Sequence, residues 1–195
     1  MSGFFIVFEG PDGAGTTTHS ERLADALRAE GKEVLLTAEP SEGPVGKHIR
    51  DELKSHSGLS PREYQELFVN DRAWHLEHVI KPALRKGIIV ISDRYIPSTL
   101  MYGASQGLPM EWLQEMNKDF LKPDVMIFTL PPFEVSWPRV AKRTEKDPFE
   151  QKDLQKKIHQ AYIDMAEQDP SIHTIDTSGD KDEVAKKIRS FVTVP

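Results

Sequence analysis

The chain has 195 residues, with 25 Lys and Arg against 31 Asp and Glu for a net charge of −6, and it contains no cysteine. That length suits one domain, residues 1–195, with a real core, and the missing cysteine excludes a disulfide framework and thiolate chemistry and suits a reducing cytoplasm. The negative balance argues against a basic face for nucleic acid; the first residues form no secretory signal, and apolar runs such as 87–92 are too short to span a membrane.

In chain order, an apolar strand over 4–8 runs into Glu9, Gly10, Pro11, Asp12, Gly13, Ala14, Gly15, Thr16, Thr17 and Thr18. This keeps the spacing of a phosphate-binding loop but puts Thr16 where the pattern has lysine. Glycines at 10, 13 and 15 let backbone N–H groups turn inward as an anion nest. The following helix, 16–30, points its positive end at the same place, and Thr17 offers a hydroxyl for magnesium. What is missing is a mobile ammonium on the outer phosphates.

A second strand over 33–37 precedes Glu39-Pro40, and helices are expected over 46–56 and 61–86. The latter begins at a capping box, with Ser60 as N-cap, Pro61 at the first helical position and Glu63 three residues after the cap. A third strand, 88–92, ends at Ser92-Asp93-Arg94-Tyr95, where an aspartate suits magnesium and an arginine can fork onto a phosphate. Further helices are expected over 110–118, 134–143, 150–168 and 181–191, and strands over 125–130 and 172–175. Pro138 is expected to kink the 134–143 helix or delay its start. Such alternation implies a parallel sheet covered on both faces, with ligands at the carboxyl ends of the strands.

Arg139 and Arg143, four apart on one helix face, open a charged candidate lid, a run over 139–150 ending in Asp147-Pro148-Phe149-Glu150 within a region of about 139–152. They suit the charge on a transferring phosphoryl group; the plainer reading is a solvated helix face. His75 and His78 stand i,i+3 but lack a third ligand, so packing or surface roles are expected. His19, just after the phosphate loop, either approaches nucleotide or, on the plainer reading, is exposed on the first helix, and Trp74, Trp112 and Trp137 are expected to serve packing.

Taken together, Phe8-Glu9-Gly10-Pro11-Asp12-Gly13-Ala14-Gly15, Glu39-Pro40, Phe68 with Asp71-Arg72, 79–84, Asp93-Arg94-Tyr95, Ser98-Thr99 with Tyr102, and Lys122-Pro123-Asp124 resemble the thymidylate kinase family over nearly the whole length. The resemblance implies an α/β, three-layer P-loop kinase fold with a five-stranded parallel sheet flanked by helices and a short lid, usually a homodimer. It implies transfer of the outer phosphate of ATP to thymidine monophosphate with Mg2+, and partners limited to small nucleotides.

By the same resemblance, residues 10–18 and Arg139 hold the donor nucleotide, while Thr17 and Asp93 hold the metal. Glu39, Pro40, Leu53, Ser98, Thr99 and Tyr102 join Phe68, Arg72, Arg94 and Asp12 around the acceptor. Phe68 resembles the ring that stacks on the base and Arg72 the fork on a base carbonyl, both physically apt for thymine. Asp12 resembles the carboxylate on the sugar 3′-hydroxyl, Tyr102 the ring that favours a deoxy sugar, and Arg94 the clamp on the monophosphate. Asp12, Asp93, Arg94 and Arg143 form the expected catalytic set.

Four positions depart from the family pattern: Thr16 for the loop lysine, Ala38 for an arginine, Pro148 for a lid arginine and Leu130 for an aspartate. Losing one charge-stabilising donor costs about a hundredfold to a thousandfold in rate. An active enzyme therefore needs substitute cations, for which Lys142, Arg143, Lys146 and Lys152 are the candidates. A nucleotide-binding pseudokinase of the same fold and a kinase of another deoxynucleoside monophosphate remain the alternatives.

Overall fold

The computed structural model describes residues 3–55, 58–144 and 147–194. Its strands are β1 (Phe4–Glu9), β2 (Val34–Ala38), β3 (Ile89–Asp93), β4 (Val125–Thr129) and β5 (Ile172–Ile175), all parallel in the order β2-β3-β1-β4-β5. The helices are α1 (Thr16–Ala29), α2 (Pro44–Ser55), α3 (Pro61–His75), α4 (Lys81–Arg85), α5 (Ile96–Ser105), α6 (Met110–Asn117), α7 (Phe133–Ala141), α8 (Lys152–Gln168) and α9 (Lys181–Phe191).

Side chains alternate across β1 with the period of a strand. Ile6 and Phe8 pack with Leu23 and Leu27 of α1 and Val184 and Ile188 of α9. Phe5 and Val7 face the other way, against Ile80, Leu84 and Tyr95. With apolar residues on both faces, the sheet is sandwiched by helices, giving the three-layer α/β arrangement expected. Register aligns Phe8 and Ala38 with Asp93, and Glu9 with Phe128, so the ends of four strands share one edge. Order reverses around β1, which makes that edge the binding crevice of such a sheet. Among the described residues, no helix is long and apolar enough to cross a membrane.

Three expectations about the elements need correction. The helix over 61–86 keeps its capping box but is interrupted by a π-helical stretch, Leu76–Ile80. Pro82, in the first turn of α4, lacks an N–H, and the Lys81 N–H reaches back to the Leu76 carbonyl in the wider spacing. Helix α5 was not expected at all: its N-cap Tyr95 gives no side-chain cap, and the cap comes from Glu9 at the far end of β1. The third concerns α7, which starts at Phe133, carries Pro138 inside it and ends at Ala141, so Arg143 lies beyond the helix. The expected end of the 46–56 helix at His56, and the candidate lid positions Glu145 and Lys146, lie outside the described residues.

Candidate active site

The loop after β1 is shaped by glycine where side chains cannot fit. Gly13 has φ +74, and a Cβ there would meet the Ser136 carbonyl at 2.4 Å. Gly15, at φ 91, caps α1 in the left-handed conformation without any side-chain bond, leaving the first-turn N–H groups of α1 for an anion. The loop is pinned from outside, since Thr177 Oγ1 donates to the Ala14 carbonyl at 2.6 Å and Arg139 Nη1 to the Gly13 carbonyl at 3.0 Å. Thr16, in the lysine position, is buried. Thr17 Oγ1 donates to Asp93 Oδ2 at 2.5 Å, and Asp93 Oδ1 is buried with no hydrogen-bond partner among the described residues.

Arg94 follows β3 in a left-handed conformation, φ 73, a costly geometry for an arginine that the surrounding bonds enforce. Its Nη1 donates to the Gly10 carbonyl and to Ser98 Oγ, both at 3.1 Å, and its Nη2 donates to Asp12 Oδ1 at 2.5 Å. The guanidinium carbon also stands 5.4 Å from the Tyr102 ring centroid. Burial works against its charge, but Tyr102, Asp12, Tyr162 and Glu9 outweigh that and hold the group above its ordinary range. Arg94 is thus a fixed cation.

Two cavities meet here. The broader, about 520 Å³, is lined by the loop with Arg94, Arg139, Arg143 and Lys181. The other is a slot of about 140 Å³ lined by Leu53, Phe68, Arg72, Thr99, Tyr102 and Phe149, together with Glu39, Pro40 and Ser98. Its size suits a flat ring, while the broad cationic cavity suits polyphosphate. Asp12 and Arg94 line both.

Within the slot Phe68 and Arg72 project from one face of α3, as their spacing requires. Arg72 is buried with its donors on protein oxygens: Nε on Glu39 at 2.9 Å, Nη1 on Thr99 Oγ1 at 3.0 Å and Asn117 at 2.5 Å, Nη2 on the Tyr95 carbonyl at 2.7 Å. The arginine therefore fastens Glu39, Thr99 and α6 around the slot. His75 is also buried, on Thr37 and Glu39, whereas His78 stacks on Trp74, so the two do not share a metal.

Further residues of the site come from distant segments, Lys181 among them without having been expected. His19 is buried and lines the broad cavity, in line with the less favoured of its two readings rather than with exposure on the helix. Burial, then Arg22, Lys181 and Arg139, hold its imidazole below the usual range, favouring the neutral ring. Lys181 joins the cavity from the start of α9, whereas Lys142 and Lys152 do not line it. The expected Arg143 does, but it is paired with Glu150 at 2.5 Å. Phe149 packs between Tyr64 and Tyr102 at centroid distances of 5.3 and 5.6 Å, which brings the candidate lid segment against the slot. Beside it, burial and then the Asp12 charge push Asp147 up to about 6. The sequence signal for both was the run 147–150 itself.

Over residues 8–188 the chain matches the family model described as thymidylate kinase. It is 36% identical over 197 residues to a probable thymidylate kinase of Thermococcus kodakarensis, covering 96% of each chain. The probable thymidylate kinase of Pyrococcus abyssi is 36% identical over 198 residues, 98% of this chain and 97% of that one. The thymidylate kinase of Xanthomonas euvesicatoria pv. vesicatoria is 36% identical over 193 residues, 97% of this chain and 83% of the relative.

Proposed function

Because the chain belongs to the thymidylate kinase family, we infer how its own residues carry out the ATP-dependent phosphorylation of thymidine monophosphate. The observation that carries this reading is the Asp12–Arg94 pair, bonded at 2.5 Å on the wall common to the two cavities. Acceptor and donor phosphates meet at that wall.

Thymine enters the slot against Phe68, with Thr99 and Tyr102 around base edge and sugar and Asp12 on the 3′-hydroxyl. Arg94 turns a donor from Asp12 to the acceptor phosphate and holds it in line with the terminal phosphate of ATP. An acceptor oxygen forms the new P–O bond as the bond to the bridging oxygen breaks, and ADP leaves. Little covalent chemistry is asked of the protein beyond alignment and charge neutralisation. In place of the loop lysine, Arg94, Arg139, Arg143 and Lys181 share that charge, Arg143 by exchanging Glu150 for phosphate.

Thr17 and Asp93 suit magnesium, since Asp93 Oδ1 is a buried carboxylate oxygen with no donor among the described residues, next to a hydroxyl. Held there, the ion would supply charge neutralisation for the donor phosphates. The cytoplasmic location and homodimeric state usual in the family complete the proposal.

A coupled ADP-release assay with magnesium-ATP and a panel of deoxynucleoside monophosphates tests it. Turnover is expected with thymidine monophosphate, reduced about a hundredfold or more in kcat/KM by Arg94→Ala. Undiminished turnover in that variant would remove Arg94 from the mechanism, and no turnover in the parent protein would favour a pseudokinase.

A further inference from the structure

Gln155 sits on α8, 143 residues from Asp12 in sequence, yet it is only 2% exposed. Its side-chain amide donates to Asp12 Oδ2 at 2.8 Å and to the Phe149 carbonyl at 3.1 Å. An amide nitrogen buried on a helix face needs acceptors for its N–H groups, and for Gln155 these are the lid backbone and the loop carboxylate. Asp12 Oδ1 is meanwhile taken by Arg94 at 2.5 Å, so the carboxylate is held from two sides. Arg94 has a second duty, however. Once its Nη2 turns to the acceptor phosphate, its bond to Asp12 weakens and the donor from Gln155 stays in place.

We propose that Gln155 is a positioning residue for the acceptor sugar, aiming the Asp12 carboxylate at the 3′-hydroxyl and tying that aim to the seating of the Phe149 segment. The proposal rests on the reading of Asp12 as the sugar contact given under Proposed function. It makes α8 a strut between lid and loop: the amide that orients Asp12 finds its second acceptor only while the Phe149 carbonyl lies against the helix. Phe149, wedged between Tyr64 and Tyr102, sets where that carbonyl is.

The test compares thymidine monophosphate with 3′-deoxythymidine monophosphate as acceptors. Gln155→Leu is expected to lower kcat/KM about tenfold or more for the natural acceptor and less than about twofold for the 3′-deoxy analogue. An equal loss on both acceptors, as simple packing damage would give, or no loss on either, overturns the proposal. Asp12→Ala supplies the reference. If it also penalises both acceptors equally, the sugar reading of Asp12 falls and takes the proposal with it. If it discriminates while Gln155→Leu does not, the proposal falls alone.

Should Gln155→Leu fail to fold, Gln155→Glu keeps the shape but sets a carboxyl against Asp12. Its preference for the natural acceptor is expected to collapse at alkaline pH and return as pH falls. An unaltered preference at every pH overturns the proposal.

Discussion

Asp12 and Arg94 form the bond on which the site turns, and each is held by neighbours that the chain brings from elsewhere. Arg94 is pinned by Gly10, Ser98 and Asp12, Asp12 by Arg94 and Gln155. In the proposed function a ring of charge takes the place of the loop lysine at Thr16. With Arg94, Arg139, Arg143 and Lys181 around the same cavity, Thr16→Lys is expected to change kcat/KM by less than about threefold, because the buried position adds a charge where four already act. A gain of about a hundredfold in steady-state kinetics would mean that the loop is damaged rather than compensated.

Asp147 gives a pH-dependent signature. Its carboxyl rises from 3.8 to about 6 through burial and then the Asp12 charge, so the folded protein keeps a proton that the unfolded chain has released. Stability from this group is present below about pH 4 and is lost as pH rises towards about 6. Asp147→Asn is therefore expected to leave stability unchanged near pH 4 and to raise it by about 2–3 kcal/mol above pH 7, measured by urea titration. The asparagine oxygen can still accept the Phe149 N–H bond that Asp147 accepts at 2.8 Å. Equal effects at both pH values would refute the linkage.

Among the elements, α5 depends most on distant chemistry. Glu9 Oε1 accepts the Tyr95 N–H at 2.7 Å and the Ser98 N–H at 3.1 Å, while Oε2 accepts Ser98 Oγ at 2.8 Å and the Tyr162 hydroxyl at 2.7 Å. Burial raises the Glu9 carboxyl, with Arg94 and these donors working the other way. This one side chain joins β1, α5 and α8 beneath the slot. Glu9→Leu strands two backbone donors and a buried hydroxyl and is expected to cost about 3 kcal/mol or more in thermal unfolding, with Glu9→Gln milder. A loss under about 1 kcal/mol for the leucine variant would show that the carboxylate is not the cap that holds α5.

The capping box of α3 lay within four residues and was legible in the sequence; the cap of α5 was not, because its donors and its acceptor are separated by most of the first half of the chain. The π-helical stretch is intermediate: Pro82 was visible in the sequence, but how the backbone would absorb it was settled by packing Leu76, Ile80 and Leu84 under the sheet.

At the scale of the molecule, the two cavities open along one sheet edge, so filling one stiffens elements that border the other. Magnesium-ATP at about a hundred times its dissociation constant stabilises a folded protein by about 2.7 kcal/mol. For a chain of this length that corresponds to an upward shift in Tm of about 5–10 °C, measurable by differential scanning fluorimetry. No shift with magnesium-ATP, against a clear one with thymidine monophosphate, would leave a pocket that binds acceptor alone.

The strands, most helices and the phosphate loop were legible because their signals are local. Alternating or continuous apolar runs mark strands within a few residues, a glycine pattern marks a nest, and i,i+4 spacing already puts Phe68 and Arg72 on one face. The burial of His19, the arrival of Lys181, the capping of α5 by Glu9 and the meeting of Gln155, Phe149 and Asp12 were decided only by tertiary structure. Each is a contact between segments far apart in sequence, and such contacts exist only once the order β2-β3-β1-β4-β5 has set which strand ends lie side by side.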